Sequence, residues 1–97
     1  MTRVYIKFAP SYTLLMGPDA LDKVRARLGN YAEYAHPFDV EGEGEDAAEE
    51  VFDLTNNPER QAEREQKCGG RHRIGTGDIV VVGEDQWVCM GFGWAKL

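Results

Sequence analysis

The segment Asp78–Cys89, DIVVVGEDQWVC, constrains the fold more than any other part of the chain. Ile79, Val80, Val81 and Val82 follow one another, and side chains branched at Cβ lose rotamer freedom in a helix but pack well on a pleated surface. Gly83-Glu84-Asp85 supplies a short turn, after which Trp87 and Cys89 alternate onto one face of a second strand. The pattern predicts a β-hairpin spanning 78–94.

The residues before it, GGRHRIGTGD, pose a choice. Gly75 and Gly77 with nearby Arg71 and Arg73 resemble the beginnings of a phosphate cradle. A phosphate loop needs the next segment to open a helix whose N-terminal amides face the anion. Here the next segment is IVVV, a strand, so the context excludes that reading. Turn chemistry accounts for the pattern instead: glycine reaches backbone conformations that other residues resist, and Asp78 can accept hydrogen bonds from turn amides.

Further strands and helices follow from periodicity. RVYIKF (3–8) alternates Val4, Ile6 and Phe8 with Tyr5 and Lys7, as a half-buried strand does. GPDALDKVRARLG (17–29) reads as a helix, with Pro18 at its first position, Asp19 in its first turn and Gly29 at its end. Leu21, Val24 and Leu28 share one of its faces. Tyr31–Ala35 could form a short edge strand, with Pro37 marking its limit. The stretch from Asp39 through Gly44 reads as a mobile acidic loop, since glycines and like charges oppose compaction. From Asp46 a helix is expected, with Ala47, Ala48, Val51, Phe52 and Leu54 as its apolar stripe and TNNP as its stop. ERQAEREQK (59–67) is polar throughout and reads as a solvated helical turn or loose linker.

Charge is distributed unevenly. Between Leu28 and Glu59 the chain has no Lys or Arg but ten carboxylates, so this window carries −10 of a net −6 and the remainder carries +4. Such separation bears on partners and encounter rates rather than on fold. An acidic face repels nucleic acid and attracts basic protein surfaces. The candidate partner-binding residues are therefore Asp39, Glu41, Glu43, Glu45, Asp46, Glu49, Glu50 and Asp53. The only basic segment holds Arg60, Arg64, Lys67, Arg71 and Arg73, which form the alternative, a nucleic-acid contact. Interspersed Glu63 and Glu65 and the acidic total oppose it, because a nucleic-acid module usually presents a net basic face. The same segment could simply screen the acidic helix before it.

No catalytic constellation emerges. Ser11 is the sole serine and lacks an elbow context, and His36 lies beside Pro37 without a cysteine or carboxylate motif. Cys68-x3-His72 is half of a zinc site without the second close-spaced pair. EGEGED lacks the ligand spacing of a calcium loop, and solvated carboxylates are poor settings for tuned acid–base chemistry. Trp87, Phe92 and Trp94 read as hairpin core. Neither cofactor nor metal is expected, and the two cysteines read as free thiols of a reducing compartment.

EEVFDLTNNP followed by GRHRIGTGDIVVVGEDQWVCMGFGWAKL resembles the YodL-like domain family of small proteins from phages, plasmids and other mobile elements. The matching positions are Phe52, Asn56, Gly70, Arg71, Gly77, Asp78, Val80 and the closing Gly93-Trp94, covering about half of the chain. Where the family tends to have Ser-Leu-Ser, this chain has His72-Arg73-Ile74-Gly75-Thr76. The resemblance implies a mobile-element origin and an α+β fold, and it brings no catalytic residues.

Together these readings predict one α+β domain over 1–97, with a small antiparallel sheet, a C-terminal hairpin, two helices on one face and an acidic loop and helix at 39–53. Its length suits a single modest core, and no apolar run reaches the roughly 18 residues of a membrane span. No secretory signal opens the chain, so a cytoplasmic location is expected, in the host cell if the protein is phage-encoded. The expected function is that of a non-enzymatic accessory protein that binds a host protein through its acidic surface, as in host takeover or anti-defence, possible mimicry of nucleic acid included. A monomer or small homo-oligomer fits, the latter through pairing of the edge near 31–35 with its copy.

Overall fold

The structure, a computed structural model, describes residues 1–10, 19–33, 37–69, 73–90 and 93–97. Among these residues six strands form one antiparallel sheet: β1 (Thr2–Phe8), β2 (Ala32–Glu33), β3 (Phe38–Val40), β4 (Ile79–Val82), β5 (Asp85–Cys89) and β6 (Trp94–Lys96). Among the described residues three α-helices accompany them: α1 (Ala20–Arg27), α2 (Glu45–Asn56) and α3 (Gln61–Cys68). The strand order is β2-β1-β4-β5-β6, and β3 also pairs with β1. β2 and β3 therefore share one flank of β1, opposite Lys7–Phe8 and Thr2–Val4 respectively.

β4 lies between β1 and β5 and is buried along its whole length. Val80 and Val82 face one side and Ile79 and Val81 the other, which is why this strand is continuously apolar where β1 alternates. On the first side, Val4, Ile6, Val80, Val82 and Cys89 pack against Ala47, Ala48, Val51 and Leu54 of α2 and Cys68 of α3. On the second, Ile79, Val81 and Val88 are covered by Val24, Leu21 and Leu28.

The α+β class and the hairpin stand as expected, with β4 and β5 joined through Gly83 and Glu84. Two helices do share a face, but they are α2 and α3; α1 closes the opposite side of the sheet. A sheet whose central strand is apolar on both faces needs cover on both. The chain after the hairpin adds β6, paired with β5 over Trp87–Cys89 and Trp94–Lys96.

Other expectations are corrected. Phe38–Val40 is not loop: Phe38 and Val40 are buried and Asp39 points outward, the alternation of a strand paired to β1. Of the two readings of the polar stretch after Pro58 the helical one holds and the linker does not, but the helix is not wholly solvated: a 3₁₀ turn (Pro58–Arg60) leads into α3, where Arg64 and Cys68 are buried. α1 ends at Arg27 and continues as a 3₁₀ turn over Leu28–Asn30, so Gly29 is not a left-handed terminator. The edge expected at 31–35 is reduced to Ala32–Glu33, which β1 already pairs; Tyr34 and Ala35 lie outside the described residues, as do Pro18 and the 11–16 connection.

Leu54 is fully buried at the contact of α2 with the sheet. Leu54→Ala should cost about 2–5 kcal/mol in chemical denaturation, the range for a core leucine whose site cannot collapse. A loss below about 1 kcal/mol would contradict this placement of the core.

Candidate functional site

The GTGD step is built as a structural clasp. Gly77 takes a φ of 97°, a left-handed conformation that favours glycine, and its amide donates to the Cys89 carbonyl at 2.8 Å. Asp78 accepts from the Ala9 amide through Oδ1 and from the Gly75 amide through Oδ2, both at 2.8 Å. The Tyr31 hydroxyl donates to the Gly77 carbonyl at 2.6 Å, and burial together with nearby Asp78 pushes its pKa up. One carboxylate thus ties the end of β1 to the turn that launches β4. The Gly75 amide, which an anion cradle would turn outward, is instead taken by the Asp78 carboxylate, and the Gly77 amide by the Cys89 carbonyl.

The basic segment is largely spent inside the molecule. Arg60, at the entrance to α3, donates through Nη1 and Nη2 to both Glu50 oxygens at 2.8 Å and through Nη1 to Asp53 at 2.9 Å. Its Nε and Nη2 reach Glu63 at 2.9–3.0 Å. These hydrogen bonds push the Arg60 pKa upward, and the same contact holds the Glu63 carboxyl below its usual value. Arg64 is buried and donates to the Leu54 carbonyl at 3.0 Å and the Asn57 carbonyl at 2.6 Å, where the end of α2 has backbone acceptors to satisfy. Lys67 donates to the Asp39 carbonyl at 3.0 Å and pairs with Glu63 at 3.4 Å. Arg73 is exposed, and Arg71 and His72 lie outside the described residues.

The eight acidic candidates divide into two groups. Asp39 pairs with Arg3 at 3.1 Å on the surface, a contact worth little in solvent. Glu50 and Asp53 hold Arg60, and Glu49 accepts from the Trp94 indole at 2.7 Å. Glu41, Glu43, Glu45 and Asp46 are exposed and have no counter-ion among the described residues. They occupy the turn before α2 and its first turn, where the helix dipole favours negative charge. Thr2 anchors that turn by donating to the Gly42 carbonyl. The backbone there is compact: Gly42 has φ 94°, and a Cβ would lie 3.2 Å from Ala47 N.

A cleft of about 130 Å³ opens at Glu49, lined by that residue with Phe52, Cys89, Met90, Gly93 and Trp94. The Phe52 and Trp94 rings meet edge to face with centroids 6.4 Å apart. Glu49 and Phe52 are three residues apart on α2, so the sequence does place them on one face. What it hides is that β6 brings Trp94 to them. Trp94 was expected in the hairpin core and is half-buried beside the cleft, while Phe92 and His36 lie outside the described residues. Cys68 and Cys89 are free, and burial pushes both thiols up to about 11. They are protonated near neutrality, the opposite of an activated nucleophile. Among the described residues no group of three His, Cys, Asp or Glu could hold a metal ion, and no helix is long and apolar enough to cross a membrane. No family model, curated protein or solved structure matches the chain.

Removing the Arg60 guanidinium leaves three carboxylates facing one another. Arg60→Leu should destabilise the fold by about 1–3 kcal/mol near neutral pH, the scale of charge-assisted hydrogen bonds. Because the folded pKa of Glu63 is lowered from its ordinary 4.5, its contribution is present above that value and lost as pH falls through the folded pKa. The gap between variant and parent should accordingly narrow in acid, and a gap that stays constant from pH 7 to pH 3 contradicts the clamp.

The thiols act at the other end of the scale. Their folded pKa values are raised from 9.0 to about 11, so the unfolded chain loses these protons first. The thiols' contribution should be whole below pH 9 and fall between 9 and about 11, by at most about 1.4 kcal/mol per pH unit for each thiol. A Cys68→Ala, Cys89→Ala double variant, compared by denaturation at pH 8 and pH 11, should show a shallower fall.

Proposed function

We propose that this chain is a non-enzymatic accessory protein of a phage or other mobile element, which binds a host protein through its acidic end. The observation that carries this reading is the contrast within the charged residues. Arg60, Arg64 and Lys67 are bonded internally, while Glu41, Glu43, Glu45 and Asp46 stand exposed without a counter-ion among the described residues. The nearest available cations neutralise the C-terminal half of α2 and leave its N-terminal end acidic. Met1 is the sole large hydrophobic residue exposed among those described, so recognition falls to charge rather than to a broad apolar patch.

Such a surface steers the protein toward a basic one and raises the encounter rate at low salt. A basic surface that normally holds nucleic acid is a fitting partner, since contiguous carboxylates offer it negative charge at close spacing. The mobile-element origin rests on the resemblance of residues 49–58 and 70–97 to the YodL-like domain family. Direct nucleic-acid binding draws less from the fold, because Arg60, Arg64 and Lys67 are already engaged with carboxylates or backbone carbonyls and, of the described basic candidates, Arg73 alone is exposed.

The test is capture from nuclease-treated host lysate by the tagged protein and by two variants. In one, Glu41, Glu43 and Glu45 become Gln and Asp46 becomes Asn; in the other all four become Lys. The neutral variant guards against unfolding, since cations at a helix N-terminus oppose its dipole. A host protein held by the native chain should be weakened by neutralisation and lost on reversal, with all forms melting as one cooperative fold. Equal capture by all three overturns the reading. Retention that depends on omitting the nuclease moves the function to nucleic acid.

A further inference from the structure

The register of β5 with β6 fixes which way the last strand's backbone points. The Met90 amide donates to the Gly93 carbonyl and the Leu97 amide to the Gln86 carbonyl, at 2.9 and 2.8 Å. With Val88 opposite Ala95, residues 93, 95 and 97 face β5. The N–H and C=O groups of Trp94 and Lys96 therefore point away from the sheet, and among the described residues β6 pairs only with β5. An open edge of this kind accepts an additional extended segment.

The edge runs alongside the cleft. A residue placed opposite Trp94 by such pairing projects its side chain to the face that carries Trp94, where Phe52 and Glu49 stand. Glu49 accepts the Trp94 indole with Oε2, and Oε1 has no partner among the described residues. The site offers aromatic walls from Phe52 and Trp94, a carboxylate held in place at the rim, and a strand edge. Lys96 does not compete for Glu49, because its ammonium pairs with Asp85 at 3.5 Å.

We propose that this edge and cleft bind an extended segment of the partner through an arginine, whose guanidinium stacks on Trp94 and pairs with Glu49 while its backbone adds to β6. Arginine fits because its aliphatic stem suits apolar walls, its planar head stacks on an aromatic face and its fork matches a carboxylate. This deepens the proposal of a basic partner and rests on it, but uses residues other than Glu41, Glu43, Glu45 and Asp46.

The probe is the capped peptide acetyl-Thr-Val-Arg-Val-Thr-amide, titrated into the ¹⁵N-labelled chain and followed by NMR. Saturable shifts are expected for the Trp94 indole N–H and for the backbone amides of Trp94 and Lys96. Replacing arginine with citrulline, which keeps the shape and removes the charge, should weaken binding by about tenfold or more, and Glu49→Gln should do the same. Methylating the arginine's own amide nitrogen should abolish it, because that hydrogen would point at β6. All peptide arms use the unaltered protein, so they hold even if a variant misfolds. Absent shifts, shifts confined to residues 41–46, or equal affinity for the citrulline or N-methyl peptide overturn the proposal, whatever the lysate capture shows. Shifts of Trp94 and Lys96 on diluting the chain alone assign the edge to a second copy and overturn it too.

Discussion

Arg60 joins the two helices that cover one face of the sheet. Its guanidinium lies 2.8–3.0 Å from carboxylate oxygens of Glu50 and Asp53 on α2 and Glu63 on α3, and it is mostly shielded, with 19% of its side chain exposed. Three carboxylates this close would repel one another without a shared cation, and one planar fork can serve all of them. Arg64, one turn on, caps the end of α2 through the Leu54 and Asn57 carbonyls. The α2–α3 corner is thus closed by two arginines, and Leu54 and Val51 can be buried beneath it. Thr55 and Asn56 extend the closure by bonding the Ile74 amide and carbonyl, at 3.4 and 3.1 Å.

That arrangement decides where the remaining charge is displayed. Cations available near α2 are drawn to its C-terminal half, and the N-terminal end keeps its carboxylates facing solvent. The centre of the sheet is organised mainly by apolar burial, with one carboxylate at its margin. Apolar β4 is sandwiched between helices, and Asp78 clasps its start to the end of β1. Stability and display are thereby assigned to different parts of one small fold.

Much of this was legible in the sequence where local chemistry decides the outcome. The IVVV run could hardly be anything but a buried strand, and Gly77-Asp78 functions as the turn its residue types imply. Asp78 was expected to bond turn amides and does so. What failed depended on long-range pairing. Phe38–Val40 is too short and too acidic to signal a strand, and only its register with Thr2–Val4 makes it one. Residues 59–67 looked wholly solvated because Arg64 reads as polar, although its stem and donors suit a buried helix end. The two-sided cover of the sheet was equally hidden, since periodicity names a helix's apolar face and not the surface it meets. The same limit concealed the cleft: Glu49, Phe52 and Trp94 converge only after β6 docks on β5.

The claim on which these relations rest is that Arg60 couples α2 to α3 through its carboxylates. A double-mutant cycle with Arg60→Met, Glu50→Gln and the combined variant, measured by chemical denaturation at neutral pH and low salt, tests it most directly. A coupling of about 1 kcal/mol or more is expected for partners in such direct contact. Additive effects, within about 0.3 kcal/mol, would contradict it and return Arg60 to the surface as a cation free to bind something else.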